Sequence, residues 1–76
     1  MVDACMLIRT EKGKFIDVVE KIKGIKVVKD AYPVLGRYDA VVYMSAPDVK
    51  ELGMTVMKVS NMAGIVFSET LIEVEQ

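Results

Sequence analysis

The residues best suited to binding chemistry lie in one short segment, Gly36-Arg37-Tyr38-Asp39. The carboxylate of Asp39 can accept a charge-assisted hydrogen bond from an ammonium group. Gly36 allows the backbone to approach a ligand closely, so the amides of Arg37 and Tyr38 can donate to a carboxylate. Together these groups suit a small zwitterion.

A simple hairpin turn also explains the segment, with the glycine at a positive φ and the aspartate bonded to its own backbone. From the residues alone, we favour this turn over a binding role. Ser68 and Thr70 offer further hydroxyl groups, but both residue types are also ordinary in a strand.

The chain has no histidine. Histidine is the commonest general base and metal ligand, and it activates serine and cysteine nucleophiles. Only carboxylates, lysines and tyrosines remain for catalysis, and no spacing among them points to a reaction. We therefore expect no catalytic residues, no metal site and no cofactor.

The charges of the chain nearly cancel, since ten basic and eleven acidic residues leave a net charge of −1. This balance gives no electrostatic footprint for nucleic acid or for an anionic membrane, and we expect neither as a partner. We expect the single cysteine, Cys5, to be a small buried side chain, because it has no partner for an internal disulfide. The stretch expected to be a solvated face contains Lys21, Lys23, Lys26 and Lys29.

Hydrophobic residues make up 53% of only 76 positions. A chain of this length forms one domain, which buries roughly 60% of the surface of the unfolded chain. No run approaches the roughly 20 apolar residues of a membrane span, and no signal peptide follows Met1, so we expect a cytoplasmic protein. The surplus of apolar side chains predicts burial against a partner subunit.

Hydrophobic periodicity predicts four strands and two helices. The predicted strands are Val2 to Thr10, Ile25 to Leu35 with Pro33 marking an edge or a bulge, a third from Asp39 or Ala40 to about Ala46, and Ile65 to Glu75. The first helix should bury Phe15, Val18, Val19 and Ile22 and end at Gly24. The second should have Pro47 in its first turn, a cap near Ser45 or Ala46, and an apolar stripe of Val49, Leu52, Val56 and Val59 flanked by Met57.

This β-α-β-β-α-β order predicts an α+β fold, a ferredoxin-like sandwich with an antiparallel four-stranded sheet and both helices on one face. Both faces of the sheet carry apolar residues, and periodicity leaves open which face meets the helices. A homodimer that stacks its free sheet faces into a dimeric α+β barrel would bury the remaining face. One face contains Ala4, Met6, Ile8, Ala40, Val42 and Met44, and the other contains Cys5, Leu7, Val41 and Tyr43.

Four stretches carry a resemblance to a known family: Ala4 to Thr10, Val27 to Val34 continuing into Gly36-Arg37-Tyr38-Asp39, Pro47-Asp48-Val49, and Gly64-Ile65 followed by Glu69-Thr70-Leu71-Ile72. They resemble the effector domain of the Lrp/AsnC family, often called RAM, in the stand-alone form that lacks a helix-turn-helix domain. The resemblance covers essentially the whole chain. The turn combined with the last strand is its most specific part, because the order of elements alone serves many functions.

The resemblance implies an amino-acid-binding, oligomerising module related to transcription regulation. Such domains form dimers that associate further, commonly into octamers, and they bind amino acids between subunits. Full-length Lrp/AsnC regulators are further implied partners. With the resemblance we favour a binding role for the turn, and the implied ligand-binding residues are Leu35, Gly36, Arg37, Tyr38, Asp39, Ser68 and Thr70.

Two other functions remain open. A small dimeric enzyme of the same fold, of the cofactor-free monooxygenase or isomerase type, would need an acid or base among tyrosines, lysines and carboxylates. A ligand-free assembly partner would use the same subunit interfaces. An RNA-binding sheet is disfavoured, because the three tyrosines and two phenylalanines lack the pattern of exposed aromatics with basic flanks.

Overall fold

The structure, a computed structural model, describes residues 1–73. This part of the chain contains four strands and two helices. They follow the predicted order. Their bounds are β1 (Val2–Thr10), α1 (Phe15–Lys23), β2 (Val28–Pro33), β3 (Ala40–Ala46), α2 (Val49–Ser60) and β4 (Ile65–Ile72). Neither helix in this part of the chain has the length and apolar character needed to cross a membrane.

The strands form a single antiparallel sheet in the order β2-β3-β1-β4. β1 is central and pairs on both sides, so Met6 lies opposite Val42 of β3 and opposite Thr70 of β4. β2 is an edge strand that carries Pro33, and its register shifts between Val28 and Asp30. The prediction that Pro33 marks an edge or a bulge is therefore confirmed.

The helices cover the face of the sheet that carries the even-numbered residues of β1 and β3. Both helices and this face share one buried core, which answers the question that periodicity left open. The two-residue repeat of a strand places alternate side chains on the same face. The core contains Ala4, Met6, Ile8, Ala40, Val42 and Met44 from the sheet, Val18, Val19 and Ile22 from α1, and Leu52 and Val59 from α2.

Helix α2 begins later than the sequence predicts. Its cap is Asp48, whose carboxylate accepts a hydrogen bond from the amide of Glu51 at 2.8 Å, so the predicted cap near Ser45 or Ala46 is wrong. β3 continues through Ala46 because that residue still pairs with Val2. An aspartate in extended conformation satisfies a free amide of the first turn and so fixes the start of the helix.

The buried stripes of the helices also differ from prediction. In α2, Val49 is exposed and Val56 is half-buried, whereas Thr55 is buried and donates its hydroxyl to the Glu51 carbonyl oxygen at 3.1 Å. This bond satisfies the threonine hydroxyl, so the position tolerates a polar residue. In α1, Val18, Val19 and Ile22 are buried as predicted, but Phe15 remains 38% exposed.

Strand β2 is shorter than predicted at both ends. Before it, the amide of Ile25 donates to the Ile22 carbonyl and that of Val28 donates to the Ile25 carbonyl, so this stretch is a turn following α1. After it, the chain leaves the sheet at Val34. The last strand ends at Ile72, and the predicted extension to Glu75 falls partly outside the described residues.

The second face of the sheet, here called the open face, is not covered by the helices. It carries the odd-numbered residues of β1 and β3, as the pairing of Cys5 with Tyr43 and of Leu7 with Val41 shows. Tyr32 of the edge strand β2 also lies on this face, and its ring centre is 6.1 Å from that of Tyr43. The exposed apolar residues there are Tyr32, Tyr43, Phe67 and Leu71.

Candidate ligand-binding site

The connection between β2 and β3, residues 34–39, is anchored to the sheet at its base. The amide of Val34 donates to the Asp39 carbonyl at 3.0 Å, which closes the loop. The amide of Asp39 donates to the Ile8 carbonyl of β1 at 2.8 Å. The loop therefore lies against the end of the central strand.

The Asp39 carboxylate is half-buried and holds the end of β1. One of its oxygens, Oδ2, accepts the backbone amide of Thr10 at 2.8 Å and faces the Thr10 hydroxyl at 3.4 Å. A simple turn would have the aspartate bonded to its own loop, whereas this contact spans 29 positions. The other oxygen, Oδ1, has no hydrogen bond from residues 1–73. Asp39 thus combines a structural bond with an oxygen that can accept a ligand.

The turn itself presents backbone donors. Gly36 has a φ of +142°, a conformation that residues with a side chain rarely adopt, and a Cβ at this position would meet nothing within 4 Å. Backbone conformation, rather than space, therefore favours glycine here. In the described part of the chain, the amides of residues 35–38 donate no hydrogen bonds. Four backbone N–H groups immediately before Asp39 in the chain are thus without a partner among the described residues.

Two side-chain contacts fix the turn from the open face. Arg9 donates from Nε and Nη2 to the carbonyl oxygen of Arg37, at 3.2 and 2.7 Å. The Tyr38 hydroxyl donates to Oε1 of Glu69 on β4 at 2.9 Å. This hydrogen bond to a carboxylate raises the pKa of Tyr38 above its ordinary value. The turn is therefore tied to both β1 and β4.

The two predicted hydroxyl residues of β4 do not meet the turn within one protomer. Ser68 pairs with Ile8 and Thr70 pairs with Met6, so both belong to the helix-covered face. The Ser68 hydroxyl is hydrogen-bonded to that of Ser60 in α2 at 2.9 Å. Because β1 lies between β4 and β3, Ser68 is two strand spacings, roughly 10 Å, from Ala40 at the end of the turn.

A hollow of about 320 Å³ lies beside the turn, between β2, the start of α1 and Asp39. Its walls are mainly apolar. It brings together the predicted residues Leu35 and Asp39 with a residue that the sequence assigns to the core, Phe15. The five lining residues are Phe15, Pro33, Val34, Leu35 and Asp39.

A larger hollow, about 450 Å³, lies near the other end of the sheet and includes Cys5, Tyr43 and Leu71 of the open face. Burial raises the pKa of the Cys5 thiol, and a nearby Tyr43 hydroxyl partly opposes this effect. The thiol therefore favours its neutral form. Cys5 is half-buried on the open face, so the prediction of a buried side chain is wrong for a single protomer. No cluster of three or more His, Cys, Asp or Glu within residues 1–73 could hold a metal ion.

Sequence reasoning missed four residues at the turn: Arg9, Thr10, Phe15 and Glu69. The order of elements offered a partial signal, because a ferredoxin-like sheet places the connection between its second and third strands at the end of its first strand. The individual contacts depend on the register between strands distant in sequence, which periodicity does not provide.

Comparison with known proteins identifies the family to which this fold and turn belong. The family model described as the Lrp/AsnC ligand binding domain matches residues 3–76. The chain belongs to the Lrp/AsnC ligand-binding domain family. The resemblance to the Lrp/AsnC effector domain is therefore confirmed, and with it the relation to the ligand-binding part of transcription regulators.

Solved structures of similar length show the same fold along this whole Lrp/AsnC domain. The hypothetical protein PHS023 from Pyrococcus horikoshii is 34% identical, with 100% of this chain and 93% of that chain covered and a TM-score of 0.92. FFRP-DM1 is 35% identical, with 97% and 100% covered and a TM-score of 0.93. TTHA0845 from Thermus thermophilus is 30% identical, with 100% and 96% covered and a TM-score of 0.93.

A longer regulator shares the fold at lower identity. E. coli AsnC is 19% identical with a TM-score of 0.88, and 99% of this Lrp/AsnC domain matches 52% of the AsnC chain. The domain therefore spans about half the length of that regulator. No curated protein matches the chain.

Proposed function

We propose that this domain is an effector module that binds a free amino acid at the turn between β2 and β3 and assembles with itself. In this proposal it has no catalytic residues, and its output is a change in the association of subunits or of related Lrp/AsnC regulators. The ligand lies in a cleft that a neighbouring subunit completes, and the domain acts in the cytoplasm.

One observation carries the binding proposal: the same short turn contains an anchored carboxylate and a run of backbone amides without partners among residues 1–73. Thr10 fixes Oδ2 of Asp39, and Oδ1 has no hydrogen bond from the described residues. The N–H groups of residues 35–38 are also unpaired within residues 1–73. An amino acid is a zwitterion, so its ammonium group complements the carboxylate and its own carboxylate complements the amides.

Arg9 supports the proposal by fixing the direction of one donor. It binds the Arg37 carbonyl oxygen with two N–H groups. In a trans peptide the C=O and the following N–H point in opposite directions, so the Tyr38 amide is held pointing away from Arg9. Ser68 and Thr70 both lie on the helix-covered face, so they do not join the turn within one protomer. Their part in ligand binding stays a prediction.

The open face supports self-association through stacked sheets. It exposes Tyr43, Phe67 and Leu71 by 44%, 53% and 51%, while Leu7 and Val41 lie half-buried between them. Arg9 and Glu69 lie on the same face near its turn end, where they bind the turn. A large apolar area left in water marks an interface. We propose that a second copy covers it in a homodimer, the dimeric α+β barrel, and that dimers associate further, up to octamers.

Calorimetric titration with the common amino acids tests the binding proposal. At least one should bind, and Asp39→Asn should weaken its binding by about 10- to 100-fold, because a hydrogen bond to a charged group contributes roughly 1.5–3 kcal/mol. Glu20→Gln is the matched control, since it removes one carboxylate from an exposed site on α1. If no amino acid binds, or if both variants bind like the unmodified chain, the proposal is wrong.

Sedimentation equilibrium tests the interface with a matched pair of variants. Leu71→Glu places a charge on the open face and should dissociate the dimer. Met54→Glu introduces the same charge at a comparably exposed apolar position on α2 and should leave the dimer intact, because Leu71 is 51% exposed and Met54 is 63% exposed. Equal dissociation constants for the two variants would argue against sheet stacking.

A further inference from the structure

The hollow beside the turn is lined by apolar residues and one carboxylate. It lies where the first residue of α1 faces the β2–β3 connection. Phe15, Pro33, Val34 and Leu35 supply apolar walls, and among these five described lining residues only Asp39 is charged. The walls therefore suit hydrocarbon, while the one polar feature suits a cation.

Two apolar side chains that line the hollow, Phe15 and Leu35, remain exposed to solvent in a single chain. Leu35 is fully exposed and Phe15 is 38% exposed, although α1 buries Val18, Val19 and Ile22. An aromatic ring and a leucine left in water beside a carboxylate can bury apolar surface when a ligand arrives. The volume of about 320 Å³ lies near the lower end of ligand pockets, roughly 300–1,000 Å³, which suits a single amino acid.

We infer that the ligand is an amino acid with an apolar side chain. This inference rests on the proposed function and specifies its ligand class. The ammonium group binds Oδ1 of Asp39, and the hydrocarbon side chain enters the hollow against Phe15 and Leu35. An acidic side chain is repelled by Asp39, and a side-chain amide in the hollow loses its hydration without gaining a partner.

A series of amino acids with side chains of increasing length tests whether the ligand is apolar. Calorimetric titration of the unmodified chain with glycine, alanine, 2-aminobutyrate and norvaline should show affinity rising about fourfold per added methylene group, which corresponds to about 0.8 kcal/mol. Leucine should bind at least tenfold more tightly than asparagine or glutamate. A flat series, or asparagine or glutamate binding as tightly as leucine, overturns the apolar class.

The outcomes separate this inference from the proposed function. If a polar amino acid binds most tightly and Asp39→Asn weakens it, the site binds amino acids but the class is wrong. If no amino acid binds, both statements fail. The ligand series uses the unmodified chain, so its result does not depend on whether any variant folds.

Substitution of Phe15 tests the wall directly. Phe15→Ser should lower the affinity for leucine by about tenfold and the affinity for alanine by less than threefold. Phe15→Leu should keep most of the preference for leucine over alanine. Met54→Ser is the control, because Met54 is also an exposed apolar helix residue but lies outside the hollow. If Phe15→Ser binds leucine as tightly as the control does, the side chain does not occupy this hollow.

Discussion

The bond between Asp39 and Thr10 predicts that Asp39 contributes to stability as well as to binding. Thr10 is only 8% exposed, and its amide donates to Oδ2 of Asp39 at 2.8 Å. Asp39→Ala removes this acceptor and leaves a buried amide unpaired, which costs roughly 1–3 kcal/mol. The hydroxyl contact, at 3.4 Å, is too long to add much. We expect the free energy of unfolding to fall by about 2 kcal/mol.

The stability of Asp39→Asn should lie between that of the unmodified chain and that of Asp39→Ala. The asparagine side-chain oxygen still accepts the Thr10 amide, but a hydrogen bond to a charged group is about twice as strong as a neutral one, so we expect a loss of about 1 kcal/mol. Urea unfolding followed by circular dichroism measures both losses. One protein concentration must be used throughout, because the stability of an oligomer depends on concentration.

Thr10→Val is the control, since it removes the hydroxyl and keeps the amide that Asp39 binds. It should change stability by less than half as much as Asp39→Ala. If Asp39→Ala unfolds at the same urea concentration as the unmodified chain, with an unchanged slope, the carboxylate does not hold the end of β1 and the reasoning is refuted. The expected instability of the alanine variant makes asparagine the better substitution in the binding experiment.

Two further predictions concern polar contacts of the loops. Because the bond to Glu69 raises the pKa of Tyr38, the stability it provides should be present below pH about 10 and lost as the pH rises through the folded-state pKa. Glu69→Gln should lower that pKa, and an unchanged tyrosinate absorbance titration would count against the contact. Asp48→Ala should reduce stability by about 1 kcal/mol in urea unfolding, because the Glu51 amide loses its cap, whereas Asp48→Asn should reduce it much less.

The fold was largely predictable because most elements carry their own signal. β1 and β3 have the expected bounds, since alternation over seven to nine residues is contained within each strand. The start of α2 was misplaced because Pro47 and Asp48 both suit a helix start, and only the hydrogen bond to Glu51 distinguishes them. Which sheet face meets the helices could not be predicted, because both faces are apolar.

The candidate site was predictable only where its residues are adjacent in sequence. The turn from Gly36 to Asp39 was found from residue types, and its positive φ at Gly36 agrees with the expected turn. The partner of Asp39 was not found, because Thr10 lies 29 positions away and no local pattern links the two. Phe15 was assigned to the core because helical spacing indicates a face but not how far the sheet extends beneath it.

The proline in β2 limits how copies of this sheet can polymerise. A free strand edge normally templates further strands, and repeated addition produces fibres. β2 is a poor edge for the pairing of a further strand, because Pro33 has no N–H to donate and the register shifts between Val28 and Asp30. Two copies that joined through their β4 edges would expose only β2 edges, so addition would stop at two. A chain with 53% hydrophobic residues is thus protected from open-ended fibre growth at one side of its sheet.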